Sequence, residues 1–124
     1  MQTLRVLVVD DHEDNGELLC EALTTRGYSC KYARDANAAL AIAPELLPQV
    51  ALLDVLMPDI GGYELGMRLR ELPGLAEVCL IAITGSDRDP TRAFEAGFHG
   101  HMLKPVTLAR LEATIAELMT AKKS

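Results

Sequence analysis

Five polar residues, Asp10, Asp11, Asp54, Thr84 and Lys104, each stand at the end of a short apolar run. Three carboxylates brought within a few ångströms repel one another and are tolerated mainly when a cation sits among them. An all-oxygen donor set suits Mg²⁺, which keeps several of its waters. A lysine opposite the carboxylates and a threonine hydroxyl beside it offer a positive charge and a hydrogen bond to the non-bridging oxygens of a phosphoryl group. One carboxylate is then left as a nucleophile.

Taken singly, these residues mean less. Asp10-Asp11 alone reads as a polar loop capping a helix, Thr84 as a strand-end residue and Lys104 as a surface lysine. Asp54 alters the balance, because it follows the apolar run 50–53 and precedes Met57-Pro58, where there is no helix to cap. Only the set, gathered at one place, does chemistry.

The gathering requires a particular scaffold. Apolar runs at 4–9, 28–32, 50–53, 78–83 and 99–103 alternate with five segments of helical character. Near-continuous apolar strands alternating with helices predict an α/β fold with a parallel sheet covered on both faces. The first helix is expected to open at Asp14 or Asn15 and to end at Gly27, with Leu18, Leu19, Ala22 and Leu23 as its stripe. Asp35 is expected to cap the second, and Pro44 and Pro48 to keep it short. A third follows Gly61-Gly62; a fourth has Asp87 or Asp89 as N-cap before Pro90 and stops at Gly97. The fifth shows Leu108, Leu111, Ile115, Leu118 and Met119 at helical spacing. In an open α/β sheet the carboxyl ends of the strands form one rim where ligands bind, and all five polar residues fall on that rim.

The 124 residues suit a single domain over 1–124, and 49% hydrophobic residues are enough for one core. No apolar run approaches the length of a membrane span, nor is there a secretory leader, so a soluble cytoplasmic protein is expected. A net charge of -6 with scattered basic residues argues against nucleic acid as a partner. Cys20, Cys30 and Cys79 lie in apolar segments without C-x-x-C spacing and read as small core residues. His12 and Glu13 read as solvated loop positions, and Tyr28, Tyr32 and Tyr63 as partly buried residues outside the site.

The combination of 6–11 (Val-Leu-Val-Val-Asp-Asp), 52–58 (Leu-Leu-Asp-Val-Leu-Met-Pro) with Gly61-Gly62, 83–85 (Ile-Thr-Gly) and Lys104-Pro105 resembles response-regulator receiver domains of two-component signalling. The resemblance spans essentially the whole chain. It implies a flavodoxin-like, doubly wound five-stranded parallel sheet of order 2-1-3-4-5 with five helices. It further implies that Asp54 is the phosphoryl acceptor, that Asp11 binds Mg²⁺ directly and Asp10 through water, and that the Leu56 carbonyl completes the protein's share of the metal shell. Lys104 would pair with the phosphoryl oxygens, the Thr84 hydroxyl would follow the group and carry its arrival outward, and the Lys104-Pro105 peptide would be cis. The phosphoryl donor would be a phosphohistidine on a sensor histidine kinase or a histidine phosphotransfer protein. The chain would then be a signalling module, rather than an enzyme, that assists its own phosphorylation and slow dephosphorylation and so switches a downstream partner.

One position departs from the family pattern. Three residues before Lys104, receivers often carry Tyr or Phe as a switch; here it is His101, as is frequent in receivers attached to hybrid sensor kinases. His101 is either a modified switch or a packed polar ring. Other functions fit less well. An aspartyl phosphohydrolase would want Asp-x-Asp on the first strand, whereas Asp10 is followed by Asp11, His12 and Glu13. A flavin or nucleotide binder would want a Gly- or Ser/Thr-rich phosphate loop there, and the acidic pair would repel phosphate. An unphosphorylated adaptor would be expected to lack a site residue. No output domain is expected within these 124 residues, whether free-standing or excised from a larger protein.

Overall fold

The structure, a computed structural model, describes residues 3–57, 60–85 and 90–123, with side chains as far as residue 120. Strands β1 (Arg5–Val9), β2 (Ser29–Ala33), β3 (Val50–Asp54), β4 (Cys79–Thr84) and β5 (Gly100–Leu103) alternate with helices. These are α1 (Glu13–Thr25), α2 (Ala36–Leu46), α3 (Gly62–Arg70), α4 (Thr91–Glu95) and α5 (Leu108–Lys123). All strand pairs are parallel and the order is β2-β1-β3-β4-β5.

Alternation along the strands divides the core into two. Leu7, Val9, Ala51, Leu53, Leu80 and Ala82 point to one face, where Ala39 and Ala43 of α2, Leu65 and Leu69 of α3 and Ala93 of α4 cover them. Val6, Val8, Val50, Leu52, Ile81 and Ile83 point to the other, under Leu23 of α1 and Leu111 and Ile115 of α5. The three central strands are therefore apolar at almost every position, while β2 and β5, on the edges, alternate. Each fully buried leucine contributes on the order of 2 kcal/mol of transfer free energy, so this two-sided burial is what holds the rim rigid.

Several local expectations are corrected. Asp54 and Thr84 do not follow their strands; each is the last residue of one, because Asp54 pairs with Ile83 and Thr84 with Leu103 in the ladders. Neither Asp14 nor Asn15 opens α1. The helix begins at Glu13 with His12 as N-cap, and the His12 amide goes to the Asp10 side chain instead. Helix α2 does stay short, 11 residues ending before Pro48 where Leu47 takes φ 50°, although it runs two residues past Pro44. Asp35 does cap α2, accepting from the Ala38 amide at 2.8 Å. Asp87 and Asp89, expected to cap α4, lie outside the described residues; α4 follows Pro90.

Candidate functional site

The chain leaves β1 in one direction to reach β2 and crosses back to β3 for the rest of the sheet, so the crevice between the carboxyl ends of β1 and β3 is its switch point. Asp10 follows β1 and Asp54 ends β3, one on each side of that crevice. Asp54 is 3% exposed and Asp10 8%. Buried carboxylates need donors or a counter-charge, and both are present. The Asp54 Oδ1 accepts from the Leu56 amide at 3.0 Å, and the Asp10 Oδ1 from the His12 amide at 2.8 Å. Lys104, brought from the end of β5, places Nζ 2.9 Å from Asp54 Oδ2 and 3.6 Å from Asp10 Oδ2.

The electrostatics follow from this geometry. Burial, with the Asp54 charge adding to it, pushes the Asp10 carboxyl above the usual carboxylate range; the His12 amide and Lys104 oppose the rise without cancelling it. Burial disfavours the Lys104 charge, yet the hydrogen bond and charge of Asp54, supported by Asp10, lift its pKa above the ordinary lysine value. Lys104 is thus a held cation.

Asp10, Asp11, His12 and Asp54 each offer a ligand atom, all within 4.8 Å of one another. Asp11 and His12 are exposed, and the His12 Nδ1 stands 3.4 Å from Asp10 Oδ1 and 3.3 Å from Asp11 Oδ1. The imidazole therefore leans into the acidic group rather than merely into solvent. Thr84 is 1% exposed at the end of β4, and its backbone oxygen accepts from the Lys104 amide at 2.8 Å. The peptide Lys104-Pro105 is cis. Leu56, in the loop after β3, is 69% exposed.

Ala82 and His101 are in register on β4 and β5, so strand alternation puts the side chains of Thr84 and His101 on the same face, one strand apart and two residues offset. The His101 Nε2 is buried and has no hydrogen-bond partner among the described residues.

Sequence reasoning left Tyr32 out of the site. Its hydroxyl donates to the Asp10 backbone carbonyl at 2.6 Å, and burial first, then Asp10 and other nearby acids, push its pKa up to about 12. The signal was available only through strand register, which pairs Val8 with Tyr32 and so sets the ring beside Asp10.

An open, doubly wound parallel sheet with an acidic, lysine-countered crevice at its switch point defines the class, an α/β module whose carboxylates converge at one rim. Residues 6–116 match the family model of the response regulator receiver domain. The chain belongs to that family, a signalling module of two-component systems. It is 36% identical over 113 residues to the sensor histidine kinase RcsC of Salmonella typhi, covering 91% of this chain but only 12% of that protein. An uncharacterized 14.6 kDa protein of Leptolyngbya boryana is 39% identical over 111 residues, covering 86% of this chain and 85% of that one. The crystal structure of a CheY-like receiver domain protein from Methanospirillum hungatei JF-1 superposes with a TM-score of 0.85 at 28% identity, covering 98% of both chains. Among the described residues no helix is long and apolar enough to cross a membrane.

Proposed function

We propose that residues 1–124 form a receiver domain that takes a phosphoryl group onto Asp54 from a phosphohistidine of a sensor histidine kinase or histidine phosphotransfer protein. The observation that carries the proposal is the convergence of Asp54, Asp10 and Lys104: a buried carboxylate stands against a second one, with a lysine 50 residues away in sequence 2.9 Å from the first.

The donor set fits magnesium. Asp10, Asp11 and Asp54 offer hard oxygens, the Leu56 backbone carbonyl would add another, and the crowded carboxylates need more positive charge than Lys104 supplies. Asp11 and Asp54 would hold the ion directly, and Asp10 through water. When bound, the ion supplies positive charge against the oxygens of the group in transfer.

The protein's own residues do the positioning. An Asp54 carboxylate oxygen forms the new bond to phosphorus as the phosphorus–nitrogen bond of the donor breaks; the imidazole nitrogen leaves with that electron pair and takes a proton from solvent. Lys104 exchanges its Asp54 contact for a non-bridging phosphoryl oxygen, and the Thr84 hydroxyl hydrogen-bonds to another. Hydrolysis by water later returns Asp54 to its free form. Work of this kind is mostly orientation and charge, and it needs no histidine from the chain itself. A cytoplasmic location, next to the kinase partner, goes with this reading, as does a downstream partner that distinguishes the two states.

Treatment with acetyl phosphate and Mg²⁺ should add the mass of one phosphoryl group, mapped to Asp54. Asp54→Asn should abolish the gain and leave the circular dichroism spectrum unchanged. A native rate of uptake by the Asn variant would overturn the assignment.

A further inference from the structure

Cys20 on α1 and Cys30 on β2 stand on the two elements of the α1–β2 contact. Gly16 lies so close to β2 that a Cβ there would collide with the Tyr32 ring. From Gly16, four residues along α1 advance about 6 Å and reach Cys20. From Tyr32, two residues back along β2 cover about 6.6 Å on the same face of the strand and reach Cys30. Helix and strand run in opposite directions, joined by a tight turn in which the Tyr28 amide bonds to the Leu23 carbonyl at 3.0 Å. The two displacements therefore match and set Cys20 across from Cys30, close enough that, after burial, the Cys20 thiol adds to the rise of the Cys30 thiol above its ordinary range, while the Cys30 Sγ donates to the Lys31 carbonyl at 3.9 Å. Both are half-buried, whereas Cys79 is buried in β4. The missing side chain at Gly16 lets α1 settle against the Tyr32 ring, about one helical turn and two strand residues from the two thiols.

We infer that Cys20 and Cys30 form a reversible disulfide linking α1 to β2 when the protein meets a mild two-electron oxidant such as hydrogen peroxide. The Cys20 thiolate attacks one peroxide oxygen, giving a sulfenic acid and hydroxide. The Cys30 sulfur then attacks the Cys20 sulfur; the sulfenic hydroxyl and the Cys30 proton leave together as water. Two thiols and one peroxide become one disulfide and two waters once the proton lost from Cys20 is counted. Burial, and then the neighbouring Cys20, push the Cys30 thiol above its ordinary range, so the first attack falls to Cys20. The bridge fixes α1, whose Leu18 and Leu19 line a cavity of about 530 Å³ reaching Asp10 and Lys104.

The test is to oxidise the folded full chain with stoichiometric peroxide, quench with acid, alkylate and map the peptides. The expected product is a Cys20–Cys30 linked peptide, lighter by two hydrogens, with Cys79 alkylated, and dithiothreitol should reverse it. The oxidised form should melt roughly 5–10 °C higher, as a short loop closed by a disulfide implies. Cys20→Ser and Cys30→Ser should each abolish the link, and Cys79→Ser should leave it. Oxidation that stops at sulfinic acid on Cys20, or that links separate chains, would overturn the inference. So would an intramolecular bridge that includes Cys79.

Discussion

The Tyr32 hydroxyl donates a 2.6 Å hydrogen bond to the backbone carbonyl of Asp10. An edge-strand side chain thereby anchors the loop that carries two of the three carboxylates of the acidic crevice, from outside the set of groups that face it. Tyr32→Phe removes the donor and leaves the ring in place. The expected cost is about 1 kcal/mol of stability, read from urea denaturation, together with a shift of the His12 amide resonance, which reports the Asp10 turn. An unmoved His12 amide would mean that the loop is held without Tyr32.

Gly16→Ala is the sharper test of the same contact. In an ordinary helix interior the change stabilises by about 1 kcal/mol. Here the new methyl would collide with the Tyr32 ring, which cannot move without giving up its bond to Asp10. The variant should be less stable than the parent by about 1–3 kcal/mol, the usual range for overpacking. A gain in melting temperature would show that α1 can lift away from β2 at little cost.

Lys104→Met leaves the carboxylates of Asp54 and Asp10 side by side without their shared cation. The lysine side chain is 26% exposed, so the loss is expected below that of a fully buried pair, about 1–3 kcal/mol in the absence of divalent ions. If the crevice also holds magnesium, removing one positive charge from it should tighten magnesium binding in a calorimetric titration. Unchanged or weaker magnesium binding would place the ion elsewhere.

Millimolar Mg²⁺ should raise the melting temperature of the parent protein, because an ion that binds only the folded crevice stabilises it by mass action. Asp11→Ala should remove most of that rise while costing little stability without the ion, since Asp11 is exposed. A full magnesium effect in this variant would count against Asp11 as a ligand.

His101 separates two accounts of output. Its buried Nε2, without a hydrogen-bond partner among the described residues, and its place on the same face as Thr84 make it sensitive to a shift of the Thr84 hydroxyl. The His101 ring resonances should change between the free protein and its beryllofluoride adduct at Asp54, the latter standing in for the phosphorylated state, and Thr84→Ala should suppress the change. His101 signals that stay fixed while those around Asp54 move would make the ring a packing element only.

The alternation of apolar runs with helix signals determined the sheet, because a strand covered on both faces must be apolar throughout, as Val50–Asp54 is apart from its last residue. Asp10, Asp54, Thr84 and Lys104 were legible for the same reason: a polar residue ending such a run has to emerge at the rim. What the sequence could not show were relations between neighbouring elements. Tyr32 meets Asp10 only because β2 pairs with β1 in one register, and Cys20 comes near Cys30 only because four helical residues and two strand residues cover similar lengths. Helix α2 runs past Pro44 although local propensity would stop it there. Period and residue type are properties of a segment and can be read along the chain. Register and close approach depend on how segments pack, and only the folded structure decides them.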